Sequence, residues 1–317
     1  MEKIHWHDLS KTFQDAIVLT RNLGYQYIWI DSLCIIQDDE VDWQIESSKM
    51  ADIYENAAVT ISANTAKDGS GGLFTDRYQL DREGNRYEVA SIELKSQTED
   101  GQPVSIFARR PLTTVEYENE NLPLFGRAWT FQERLLSRRV VHFNRRELMW
   151  ECNGCVHCEC GSGRNRQGIH GAQANFQRLF PSASATSQQQ QISRWRTLVT
   201  EYSGKLLKKP SDRLPALSGV AKRLQKTIKS EYLAGIWEVD LPGALLWSLT
   251  TPVAAAVQID PRLQRSEYRA PTWSWASLSG TSCTIDDDSK SYTYHTTVES
   301  AKCVPKGKDR TGQVSHG

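Results

Sequence analysis

The densest set of potential metal ligands is Cys152-x2-Cys155-x2-Cys158-x-Cys160, with His157 inside it. Four thiolates suit tetrahedral zinc chemically. Zinc sites usually draw two pairs from separated segments, however, and all four cysteines here lie within nine residues. A closed tetrahedron is hard to build from so short a run, so the expectation is reduced surface cysteines and no metal. Carboxylates offer a second chemistry. Glu133 stands on an expected short helix beside Trp129 and Gln132, with Arg127 and Arg134 to either side. In N-glycosidic cleavage a carboxylate stabilises the oxocarbenium-like transition state while an aromatic wall stacks the leaving base. The competing reading pairs Glu133 with Arg127 or Arg134, and structural ion-pair networks favour it. Asp31 and Ser32 close a strand-like run, where open α/β sheets place ligand crevices. Asp31 equally suits a cap on the turn that follows. The candidate set is therefore Glu133 and Asp31 as catalytic carboxylates, with Ser32, Trp129, Gln132 and Arg127 around a ligand.

Other reactive residues carry blander expectations. Cys34 lies in Leu33-Cys34-Ile35-Ile36 and reads as a buried small hydrophobe, with His142 only a distant base. Asp68-Gly-Ser-Gly-Gly72 lacks the Gly-Lys-Ser/Thr ending of a P-loop and the full dinucleotide fingerprint, so it reads as a turn. Trp273 and Trp275 alternate with smaller residues as a strand would, and read as packing residues.

These residues need elements to hold them. Asp8 or Ser10 suits the cap of a helix running to about Leu23, with Gly24 just past its end. Tyr25–Ile30 reads as a buried strand. A helix is expected over Val41–Asn56, its buried stripe formed by Trp43, Met50, Ile53, Tyr54 and Ala57, and a strand over Ala58–Ala63. Helix–strand–helix–strand is the grammar of a parallel sheet flanked by helices. Further strands are expected near Tyr87–Leu94 and Val104–Ala108, then an acidic loop at Glu116–Glu120 and a helix over Gly126–Leu136. Arg139–Phe143 and Leu148–Glu151 form a hairpin. Gly161–Gln191 turns to Gly, Ser, Asn, Ala and a glutamine run, which reads as a linker. Helices follow near Ile192–Leu207, Leu217–Lys229 and Tyr232–Trp247, then a strand-rich end and a polar tail from Lys302 without visible structure.

Composition excludes several classes. The 317 residues hold 38 basic and 38 acidic side chains, so no basic excess points to nucleic acid. No run approaches the roughly 18 apolar residues of a membrane span. The N-terminus has no secretory pattern, and an odd cysteine count of seven fits a reducing cytosolic or nuclear setting, with cytoplasmic as the expected location. The length allows two domains, read as 1–160 and 192–317 joined by the 161–191 linker.

Three ordered motifs sharpen this reading: Tyr27-Ile-Trp-Ile-Asp-Ser-Leu-Cys-Ile-Ile-Gln-Asp38 leading to Met50-Ala-Asp-Ile-Tyr54, Arg127-Ala-Trp-Thr-Phe-Gln-Glu-Arg134 ahead of Met149-Trp-Glu-Cys152, and Tyr268-Arg-Ala-Pro-Thr-Trp-Ser-Trp-Ala-Ser277. Together they resemble the fungal heterokaryon-incompatibility (HET) domain family over about residues 5–152. Members usually open with a Leu-Ser-Tyr-(Cys/Val)-Trp-Gly strand motif, which this sequence does not show. The resemblance implies an α/β fold with a three-layer, mostly parallel sheet, TIR- or flavodoxin-like by analogy, and a helical and β extension. It also implies a cell-death effector of non-self recognition, with other incompatibility proteins or a second copy as partners and no cofactor. The analogy to TIR domains adds a nucleotide ligand such as NAD, and with it an enzymatic alternative; recruitment of the same domain to a biosynthetic pathway is the other.

Overall fold

The computed structural model describes residues 3–74, 78–80, 86–88, 91–109, 122–145, 147–153, 155–159, 187–250, 268–278, 282–285, 293–307 and 309–317. The acidic loop at 116–120, Cys160 and most of the 161–191 segment lie outside them. The chain divides into two units: Met1–Ile28 with Val59–Leu124 and Arg139–Ile169, and Trp29–Ala58 with Phe125–Arg138 and His170–Gly317.

In the first unit, Ser10 caps α1 (Lys11–Asn22) by accepting the Phe13 N–H, and Gly24 supplies the positive φ past the helix end. The expected strand over Tyr25–Ile30 does not form. The run pairs with no described strand, and Tyr27 is 88% exposed. A β-branched, aromatic run becomes a strand only where a neighbour takes up its backbone groups. The expected 58–63 strand is present as β1 (Thr60–Ser62). Two hairpins follow, β2 (Tyr78–Leu80) with β3 (Arg86–Glu88), and β4 (Ser91–Gln97) with β5 (Pro103–Arg109), so the single strand expected near Tyr87–Leu94 is split between β3 and β4.

The unit's main sheet has the order β1–β6–β7–β8, with β6 (Arg139–Phe143), β7 (Leu148–Cys152) and β8 (Val156–Cys158). Strand β1 runs parallel to β6, with Ile61 opposite Val141, while β6/β7 and β7/β8 are antiparallel. The class is α/β as expected, but the sheet is mixed rather than mostly parallel. Chain geometry explains this: β6, β7 and β8 are joined by connections of a few residues, which allow only antiparallel neighbours, whereas a parallel return needs a dozen residues or more. Ala16, Leu73 and Phe143 centre the core, with Ile61, Val141 and Leu148 packed on them.

The glycine-rich run is a pinned turn. Asp68 Oδ1 accepts the Ser70 N–H and hydroxyl, Gly72 N–H donates to Thr12 Oγ1, and Leu73 N–H donates to Asp15 Oδ2 at 3.0 Å. A Cβ on Gly72, at φ +73°, would sit 2.7 Å from Asp15 Oδ2. The N–H groups at its end serve Thr12 and Asp15 on α1 rather than a phosphate.

The second unit holds α2 (Asp31–Cys34), α3 (Glu40–Asn56), α4 (Ala128–Leu136), α5 (Gln188–Ser203) and α6 (Pro215–Ile228). Asp39 caps α3 by accepting the Val41 and Asp42 N–H groups. Helix α5 begins four residues before Ile192 because Ser187 and Gln190 form a capping box, so the glutamine run is its first turn. No helix spans Tyr232–Trp247. Ala234 and Gly235 both take positive φ, the two-residue turn that joins β9 (Tyr232–Leu233) to β10 (Ile236–Trp237) as a hairpin. Strand β11 (Trp247–Leu249) pairs with β12 (Cys283–Ile285).

Trp275 begins a 3-10 turn rather than continuing a strand, but its packing role holds. It is buried and donates its indole N–H to Gly235 O at 2.9 Å, where a Cβ on residue 235 would lie 2.6 Å from that nitrogen. The polar tail is also structured. Strand β13 (Val304–Pro305) pairs with β14 (Val314–His316), Thr311 donates to Ser218 O, and Lys222 pairs with Asp309 at 2.8 Å. Trp195, Tyr202, Trp237 and Trp275 form the centre of this core, joined by Leu135, Leu217 and Leu224.

Close helix packing sets one sharp constraint. A Cβ at Gly219 of α6 would lie 2.5 Å from the Ala51 Cβ of α3 and 2.8 Å from Gln132 Oε1 of α4. Helix propensity alone would make Gly219→Ala stabilising by about 1 kcal/mol. Overpacking costs about 1–3 kcal/mol and reverses the sign. Urea unfolding of Gly219→Ala is expected to show a net loss; a gain would mean that the three helices do not pack this closely.

Candidate functional site

Helices α3, α4 and α6 pack on one another in the second unit, and this packing brings Tyr54 to Glu133. The sequence requires it. Ala51 and the α4 residues Ala128, Phe131 and Leu135 are apolar positions that must leave water, and Gly219 allows the approach. Glu133 keeps some accessible surface as a residue, while its carboxyl is closely surrounded by protein. Burial pushes that carboxyl up, and the negative charge of Asp31 pushes the same way. The positive charge of Arg127 and a hydrogen bond from the Tyr54 hydroxyl pull it back only partly, leaving it at about 7 against an ordinary 4.5. Burial also raises the Tyr54 phenol, with the charges of Glu133 and Asp31 adding to it, so Tyr54 stays a donor.

Asp31 is the first residue of α2 and its Oδ1 accepts the neighbouring Ser32 N–H at 2.7 Å, while the N-cap position is Ile30, which makes no side-chain cap. The negative charge of Asp31 acts on Glu133. Ser32 is exposed beside it. Arg127 is the residue before α4, exposed, with its charge felt at Glu133. Arg134 stacks 4.8 Å from the Phe125 ring centre, and its charge acts on Glu201. Trp129 donates its indole N–H to Asp212 Oδ2 at 3.2 Å and meets Trp43 edge-on. Gln132, 2% exposed, accepts the Gly219 N–H at 2.6 Å and so bonds inside the helix packing. Cys34 is exposed, against the expectation of burial; Ile35 takes the buried place in that run.

Tyr54 is the residue that sequence reasoning placed in a buried stripe without a chemical role. The available signal was its hydroxyl, which needs a partner once buried. A second group emerges in the first unit, at the carboxyl ends of β1 and β6. His142 Nε2 lies 2.6 Å from Glu151 Oε2, and its Nδ1 lies 3.1 Å from Asn64 Nδ2. Asn64 donates to Asn144 Oδ1 and accepts from Ser62 Oγ. With Asn64 as donor to Nδ1, the imidazole carries its proton on Nε2 and gives it to the carboxylate. His142 and Glu151 are diagonal neighbours on one face of β6 and β7, buried at 1% and 2%. Their burial and mutual bonding make this group a lock on the parallel β1/β6 pair.

Among the described residues no three His, Cys, Asp or Glu side chains converge as metal ligands, and no helix is long and apolar enough to cross a membrane. Residues 1–133 match the family model described as Heterokaryon incompatibility protein (HET). No curated protein and no solved structure matches the chain.

Proposed function

We infer that this chain, which carries a heterokaryon-incompatibility (HET) domain in residues 1–133, is an effector of heterokaryon incompatibility that triggers cell death on non-self recognition. The family match carries this reading, and action through protein interaction, with other incompatibility proteins or a second copy, is its default form. Regulated expression in fungal cells is the test. Growth arrest on induction supports the reading, and normal growth at high protein level overturns it.

A specific observation favours an enzymatic form of the same role. Glu133, poised at about 7 with Asp31, Arg127 and Tyr54 around it, is the kind of perturbed carboxylate that catalysis employs. In this reading the ionised Glu133 stabilises positive charge developing on the ribose as the N-glycosidic bond of a nucleotide such as NAD breaks. Arg127 is the nearby cation for a phosphate, Trp129 supplies an aromatic surface, and water completes the hydrolysis. Purified protein is expected to release nicotinamide from NAD, and Glu133→Gln is expected to cut the rate about 10²–10³-fold while staying folded. Toxicity without turnover would leave the effector reading standing and remove the enzyme.

A further inference from the structure

We propose that Cys152 and Cys155 form a redox-active dithiol, which closes to an intrachain disulfide by exchange with a small disulfide of the glutathione class. The register of β7 and β8 pairs Met149 with Cys158, Trp150 with His157 and Glu151 with Val156. One step further it sets Cys152 opposite Cys155. Both backbone bonds of that pair are made: Cys152 N–H to Cys155 O at 2.9 Å and Cys155 N–H to Cys152 O at 3.3 Å. Only Asn153 and Gly154 separate them, the dipeptide that most favours a two-residue hairpin.

This geometry is suited to a disulfide. Opposed residues of a hydrogen-bonded pair have Cα atoms about 5.5 Å apart, within the roughly 4.4–6.8 Å that a disulfide spans. The two Sγ atoms already lie 3.4 Å apart with one thiol donating to the other. Side-chain rotation closes the remaining gap, so the strands need little movement. Both residues are half-buried, and so within reach of a small reagent.

Among the described cysteines, strand alternation puts Cys152 and Cys155 together on one face, with Trp150 and His157, and Cys158 on the other, where it packs with Met149 and Val156. The hydrogen bond to Cys152, with burial, pushes the Cys155 thiol up. In the first step the Cys152 thiolate attacks one sulfur of glutathione disulfide, forms a mixed disulfide and expels one glutathione thiolate. Cys155 then gives up its proton and attacks the Cys152 sulfur, expelling the second glutathione. Two protein thiols are oxidised, one glutathione disulfide is reduced to two thiols, and no other oxidant is needed. The closed loop is only four residues long, so the bond constrains the unfolded chain little and suits reversible use rather than stapling.

The full-length protein, equilibrated in a series of glutathione and glutathione disulfide mixtures, then acid-quenched and alkylated, tests this by peptide fragmentation. The expected product has Cys152 joined to Cys155, two hydrogens lighter, with Cys158 alkylated. Cys155→Ser is expected to trap one glutathione on Cys152. Alkylation of both cysteines at every ratio, a bond from either to another cysteine, or bound zinc that protects Cys158 along with the pair would each overturn the proposal.

Discussion

Glu133→Gln is expected to melt at a higher temperature than the native chain at pH 8.5 and at nearly the same temperature at pH 4. The sign follows from the raised carboxyl. Folded Glu133 holds its proton up to about 7, whereas the unfolded chain releases it near 4.5. Below 4.5 both states are protonated and the group's stabilising contribution is whole. Between 4.5 and about 7 the unfolded state ionises while the folded state does not, so stability falls as pH rises. Above about 7 both are ionised and the slope ends. At about 1.4 kcal/mol for each pH unit of separation, the loss amounts to about 3 kcal/mol. Glutamine keeps the shape of the protonated acid and does not titrate, so its unfolding curve lacks this drop. A structural pair with Arg127 predicts the reverse, with Glu133→Gln destabilised at neutral and alkaline pH because the cation loses its partner. Chemical denaturation of both proteins from pH 4 to 9 separates the two. Asp31→Asn provides a second readout: removing its charge is expected to move the native transition toward 4.5.

Features encoded locally were legible in the sequence. Ser10 and Gly24 bracket α1, and the alternating residues of β6 and β7 announce a hairpin. Glu133 stood out with Trp129 and Gln132 because all three fall on one short helix. What escaped was pairing across long sequence separations. Tyr54 and Glu133 meet because α3, α4 and α6 pack on one another, an approach that the missing side chain at Gly219 allows. Likewise, His142 and Glu151 sit on a predicted hairpin, but the face that would be buried depended on Asn64 arriving beside β6. Local signals also misled where context overrode them. The glutamine run looks like a linker, yet Ser187 converts it into a capped helical turn. The apolar spacing over Tyr232–Trp247 resembles a helix, yet Ala234 and Gly235 fold it back as a hairpin against Trp195.

The buried Arg196–Asp240 pair makes the largest single-residue prediction. Asp240 accepts from Arg196 Nε at 3.1 Å and Nη2 at 2.7 Å, a bidentate contact whose side chains are 4% and 7% exposed. Asp240→Ala leaves the guanidinium buried without this acceptor, so the expected cost is about 3–5 kcal/mol in urea unfolding. Replacing both partners together, as Arg196→Met with Asp240→Leu, is expected to recover most of that loss, because two desolvated charges disappear with the contact. A cost for Asp240→Ala below about 1 kcal/mol would instead mark the pair as a solvated surface contact. The consequence reaches the candidate site. Trp195, next to Arg196 on α5, shares its core with Leu135 and Leu136 of α4, the helix that carries Glu133. The HET match ends at Glu133, yet the helix beneath that carboxylate packs against residues more than fifty positions further along the chain. Loosening α5 is expected to reach α4 through this shared core. In Asp240→Ala at denaturant concentrations that leave it folded, the Glu133 transition is expected to drift from about 7 toward 4.5.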